Sequence, residues 1–249
     1  IEGHRIISRR CRDLGVDTIV VLDTHWLVNA GYHVNCTKTF KGTYTSNELP
    51  HFIQNLSYEY DGNPALGRLI AEAATADGVH TRSHEIDSLN LEYGTLVPMR
   101  YMNEDRHFKV VSIPAWCALH SLDDSRIFGA AMLKAIEKSD STVAVFASGS
   151  LSHRFNDNGS PEEAMHQISD EFYAQVDHRV VELWKAGDFK TFCAMFPTYA
   201  KACVGEGGMH DTAMLLGMLG WDKYDHGVEV LTDYFPSSGT GQINAIFPL

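Results

Sequence analysis

The stretch Thr18-Ile-Val-Val-Leu-Asp-Thr-His-Trp26 decides the fold. Its apolar run is β-branched and shows no polar alternation, which suits a strand covered on both faces, as in parallel sheets. Two other stretches read the same way, Lys109-Val-Val-Ser-Ile113 and Thr142-Val-Ala-Val-Phe146. Helical patterns lie between and around them. Ile6, Ile7, Cys11 and Leu14 recur at helical spacing before Gly15, and Leu66, Leu69, Ile70 and Ala73 continue a pattern from Pro64 to about Gly78. Ser125 to Lys138 is also predicted helical. A long helix is predicted from Ser160 to about Ala186, with Ser160 as N-cap, Pro161 in the first turn and Glu163 closing a capping box. Further helices are expected over Phe189–Ala202 and Asp211–Leu219, and the chain ends on strand candidates Val228–Leu231 and Gln242–Phe247. Strands alternating with helices predict an α/β fold: one domain with a largely parallel, mixed sheet flanked by helices.

The composition narrows the partners. The 249 residues are 44% hydrophobic, and no run approaches a membrane span. A formal net charge of −12 repels nucleic acid and anionic lipid, so neither is expected as a partner. An anionic substrate would need a local cation. The five cysteines are widely spaced and form no Cys-x-x-Cys, which indicates neither a zinc knuckle nor a disulfide framework and suits a reducing cytoplasm.

Ligands of open α/β sheets bind beyond the carboxyl ends of the strands. Asp23-Thr-His-Trp26 follows the first buried run, and Ser148-Gly-Ser-Leu-Ser-His153-Arg154 follows the third. Two histidines therefore leave two buried strands at the same end. A third element, Gly205-Glu-Gly-Gly-Met-His-Asp211, brings two carboxylates and an imidazole to the start of the last helix. Asp211 reads equally as a helix N-cap or as a metal carboxylate. Two imidazoles and one carboxylate around open positions suit oxygen-activating nonheme iron(II).

Four motifs then occur in a familiar order: Asp23-Thr-His-Trp26, Leu91-Glu-Tyr-Gly-Thr-Leu-Val-Pro-Met99, Ser148-Gly-Ser-Leu-Ser-His153 and Met209-His-Asp-Thr-Ala-Met-Leu-Leu-Gly217. Together they resemble the type II (LigB-type) extradiol dioxygenases over nearly the whole chain. The resemblance implies an Fe(II) cofactor, O2 and a catechol with a carboxymethyl arm as small-molecule partners, ring cleavage beside the two hydroxyls, and a homo-oligomer. It implies His25 as a histidine ligand of the metal and His153 as an acid–base histidine. Asp211 falls where the family places its metal carboxylate, although the usual residue there is Glu; Glu206 is the alternative. Tyr93 stands where many relatives carry another histidine and is expected to supply a hydrogen bond. The family's first histidine ligand is expected upstream of Ile1.

The expected division of labour follows from the chemistry. An imidazole can hold or release a proton near neutral pH, which suits His153 to both taking a catechol proton and returning one. Arg154 is the sequence's candidate for gripping the substrate carboxylate with two hydrogen bonds. Rival readings are a metal-dependent relative acting on another catechol or an aminophenol, and a non-catalytic Memo-type binding protein on the same fold. A serine hydrolase is disfavoured because Gly149-Ser-Leu-Ser-His153 lacks the Gly-x-Ser-x-Gly spacing.

Overall fold

The computed structural model describes residues 1–50, 52–155 and 165–249. Its centre is β1 (Thr18–Val28), which carries the apolar run read above. On one side β1 pairs parallel with β6 (Lys109–Cys117), in register Thr18↔Lys109. On the other it pairs parallel with β7 (Val143–Ala147), in register Thr18↔Val143. Two strands not predicted from the sequence complete the sheet: β2 (Tyr32–Asn35), antiparallel to β6, and β5 (Thr81–His84), parallel to β2. The order is β5-β2-β6-β1-β7, so the sheet is mixed and largely parallel, as expected. Ile19, Val20, Val21 and Leu22 have no solvent exposure, the result anticipated from their lack of alternation.

Helices cover both faces. One face packs against α2 (Pro64–Ala76), α4 (Leu122–Glu137) and α7 (His210–Leu219), through Leu66, Ile70, Phe128, Met132 and Met214. The opposite face meets α1 (Glu2–Asp13) and α3 (Tyr93–Met102) through Cys11, Leu96, Met99 and Met102. Phe40 and Tyr58, from the hairpin β3 (Thr39–Tyr44) and β4 (Leu56–Asp61), close this second core. An aromatic cluster joins α5 (Glu171–Ala186) to α6 (Phe189–Ala202) through Trp184, Phe189, Phe192 and Phe196. Short antiparallel pairs, β8 (Glu229–Val230) with β11 (Ala245–Ile246) and β9 (Phe235–Ser237) with β10 (Thr240–Gln242), finish the chain. Among the described residues no helix is long and apolar enough to cross a membrane.

Two expectations need correction. The predicted capping box at Ser160–Glu163 lies outside the described residues, and the helix expected to run on from it begins only at Glu171. Asp170 is its N-cap, accepting from the Phe172 N–H at 2.9 Å, so its first turn has a donor-satisfying cap of its own. The predicted terminal strand Gln242–Phe247 is split between β10 and β11, because Ile243 and Asn244 leave one hairpin to join another.

Candidate active site

The site begins with an irregularity in β1. Register with β6 holds to Asp23↔Pro114 and resumes at Leu27↔Trp116, so four steps along β1 (23 to 27) span two on β6 (114 to 116). Such a bulge re-aims side chains at a strand end. Buried Asp23 fixes it: one carboxylate oxygen accepts from the His25 N–H at 2.9 Å and the other from the Thr95 hydroxyl at 2.6 Å. Gly94 makes that approach possible, since a Cβ there would sit 2.2 Å from Asp23 Oδ1. The strand therefore runs through His25, and the histidine leaves its outward bulge and not the loop beyond its end.

The second wall is the turn before α7. Glu206–Met209 form a single 3-10 turn in which Gly207 (φ 57°) and Gly208 (φ 71°) take left-handed backbone. At Gly207 a Cβ would meet the Ala115 carbonyl oxygen at 2.8 Å, so this turn lies directly on β6. The result is that Glu206 reaches between β1 and the loop after β7. Its Oε1 lies 3.0 Å from His25 Nε2 and accepts from the Thr24 hydroxyl at 2.9 Å. Its Oε2 accepts from the Ser150 N–H at 2.6 Å and lies 3.3 Å from His153 Nδ1.

Burial alone would push Glu206 up, but hydrogen bonds from His153 and His25 outweigh it and hold the carboxyl well below its usual range. The converse holds at His25. Burial would lower this imidazole, yet the facing Glu206 carboxylate raises it. The pair is thus built to keep a full negative charge on Glu206.

The third wall is the β7 loop. Gly149 N–H donates to Asp211 Oδ2 at 2.9 Å, Ser150 N–H to Glu206, and the Ser152 hydroxyl to Asp177 Oδ2 at 2.6 Å. Buried carboxylates thus staple the loop that delivers His153. Its Nδ1 lies 2.7 Å from the Ser150 hydroxyl. Asp177, which also accepts from Tyr199 and Tyr234, was not singled out in the sequence. A lone Asp inside a helical pattern reads as a surface residue, and nothing local signals its burial.

These walls enclose a cavity of about 710 Å³ lined by His25, Tyr93, His153 and Glu206 among others. The predicted residues are only partly brought together. Asp211 is buried, but its carboxylate accepts from Gly149 and Thr212 N–H groups and does not line this cavity. Burial pushes its carboxyl up to about 7. Glu206, the alternative carboxylate, is the one that faces His25. Tyr93 packs against His25 with ring centroids 3.7 Å apart, but its hydroxyl donates to Glu48 Oε2 at 2.7 Å. Arg154 is exposed and is not among the residues lining the cavity, although its neighbours His153 and Phe155 both are.

Among the described residues no group of three or more His, Cys, Asp or Glu is arranged to hold a metal ion by itself. The donor set nevertheless fits part of a metal centre. A neutral-capable imidazole and a charged carboxylate converge at hydrogen-bond distance on the wall of a roomy cavity.

Residues 1–248 match the family described as the catalytic LigB subunit of aromatic ring-opening dioxygenase, and the chain belongs to that family. It is 62% identical over 225 residues to a 3,4-dihydroxyphenylacetate 2,3-dioxygenase of Escherichia coli, which covers 90% of this chain and 82% of the relative. An uncharacterized protein of Escherichia coli K12 shares the fold, with a TM-score of 0.60 at 14% identity over 96% of this chain and 91% of that one.

Proposed function

We propose that this chain is an iron(II)-dependent extradiol dioxygenase that opens 3,4-dihydroxyphenylacetate with O2, giving 5-carboxymethyl-2-hydroxymuconate semialdehyde. The observation that carries the reading is the 3.0 Å approach of His25 Nε2 to Glu206 Oε1 on the cavity wall, with His153 against the other carboxylate oxygen. The substrate is read from the activity of the 62% identical relative.

His25 and Glu206 would hold the iron. Bound there, iron(II) would act as Lewis acid toward the catechol oxygens and as the route for electrons between ring and O2. Glu206 supplies the anionic ligand, and its Thr24 and Ser150 hydrogen bonds keep it from swinging toward the substrate. Tyr93 packs its ring, tilted by 33°, against the imidazole of His25 and limits its rotation, while its hydroxyl stays with Glu48. His153 has Nδ1 engaged by Ser150 and Glu206, which leaves Nε2 to accept a catechol proton and return it as the ring opens. Phe155, edge-on to His153 at 5.0 Å, and Phe146 supply apolar cavity wall that limits water around the ring.

The test mixes ferrous-loaded enzyme with 3,4-dihydroxyphenylacetate in air, following O2 uptake and the spectrum. One O2 consumed per substrate with a yellow product is expected. Loss of substrate to a colourless product cleaved between the hydroxyls, or no O2 uptake with iron bound, would contradict the proposal.

A further inference from the structure

The cavity wall contributed by α3 carries a cation that the mechanism does not use. Tyr93, Gly94, Val97, Arg100 and Tyr101 line the cavity, residues that recur at the three-to-four spacing of one helical face. Tyr93, at one end of this face, packs against His25. Arg100 lies seven residues further on, two turns and about 10 Å of helical rise away. Among the described lining residues Arg100 is the one arginine, no lysine joins it, and Glu206 is the one acidic side chain. The two charges therefore stand on different walls of one cavity.

Arg100 has the properties of a receptor for an anion. It forms no ion pair among the described residues, and of the four arginines in that state (Arg5, Arg82, Arg100 and Arg154) it is the one that lines the cavity. Its guanidinium lies 5.9 Å from the centroid of the Tyr101 ring, so an aromatic face and not an acid is its neighbour. Arg100 is exposed, so its guanidinium stands open at the cavity wall and is available to an anionic ligand in a chain of net charge −12.

We propose that Arg100 is the specificity-determining residue that grips the carboxylate of the substrate's side arm, with α3 as the ruler between ring and anion. This rests on the substrate reading above and names the group that enforces it, in place of Arg154. Two turns of helix separate the His25 end from the arginine, a span that a dihydroxyphenyl ring, a one-carbon arm and an arginine side chain can bridge together. A bidentate guanidinium–carboxylate pair then holds the ring with its hydroxyls toward His25 and Glu206. A catechol without the acid would bind with less orientation and lower affinity.

The experiment compares kcat/KM of the iron-loaded enzyme for 3,4-dihydroxyphenylacetate and for 4-methylcatechol, and takes their ratio. Arg100→Gln should lower that ratio on the order of 10- to 100-fold, mainly through KM, the size expected when one charge-assisted pair is lost. Arg100→Lys should keep part of it. Titration of the non-cleavable 4-hydroxyphenylacetate under anaerobic conditions should show a parallel weakening in Kd. Arg100→Glu should reverse the preference, favouring a catechol with an aminoethyl arm over the acid. An unchanged ratio in Arg100→Gln, or a ratio that falls in Arg154→Gln instead, overturns the assignment while leaving the substrate reading intact. A wild-type enzyme with no preference for the acid overturns the substrate reading itself, and this one with it.

Discussion

A carboxylate as buried as Glu206 costs several kcal/mol unless donors meet both oxygens. Here Thr24, Ser150, His25 and His153 do so, and the last two are the same imidazoles that the sequence pairs across two strand ends. The donors make distinct demands on mutation. His25→Ala removes an imidazole from the iron's position and should abolish iron binding, measured by metal content after anaerobic loading with ferrous salt. His153→Phe should retain the iron and lower kcat by about 100-fold or more, the usual scale for losing a general acid–base group. Equal iron content and normal turnover in both would remove these roles. Arg154 shows why such assignments cannot be finished from sequence: it adjoins His153 in the chain, yet it is exposed and does not line the cavity.

At the scale of elements, the site depends on how closely α3 packs on the β1 bulge. Gly94 sits against Asp23, whose carboxylate holds the His25 N–H. Gly94→Ala should destabilise the protein by about 1–3 kcal/mol, as overpacking does, and lower Tm by several degrees. Because the same contact orients His25, iron occupancy should fall with it; a variant with unchanged Tm and full iron would contradict this coupling. The buried strands were legible because an apolar run without alternation has few other homes, as Ile19–Leu22 demonstrates. Four strands were not. β2 and β5 are short, His33 and His84 break their apolar pattern, and β3 and β4 form a hairpin outside the main sheet. Likewise α3, the wall of the cavity, was hidden by an internal Pro98 and by burial on several sides. The choice between Asp211 and Glu206 was illegible for a different reason. Both flank one glycine turn, and the left-handed backbone at Gly207, Gly208 and Met209, which the pattern does not reveal, separates the two carboxylates.

Across the whole molecule, stability and pH are linked through buried imidazoles away from the iron ligands. His210, at the start of α7, shares a 2.7 Å hydrogen bond with Ser125, which in turn meets Tyr32 at 2.8 Å. Burial, aided by His120, lowers His210 from an ordinary 6.5 to about 4. Its folded pKa lies below its unfolded one, so the neutral imidazole contributes stability that is present above about 6.5 and lost as pH falls through 4. The full contribution is on the order of 3 kcal/mol. Denaturant unfolding between pH 7 and pH 4.5 should therefore weaken more steeply in the wild type than in His210→Asn; parallel slopes would contradict it.

Under the proposed function, one ion would be held by residues from separate elements, His25 of β1 and Glu206 of the turn before α7. The direct test is iron bound per chain in Glu206→Gln and Asp211→Asn after anaerobic ferrous loading. The account predicts that Glu206→Gln loses its iron while Asp211→Asn keeps it. Iron retained by Glu206→Gln and lost from Asp211→Asn would contradict it.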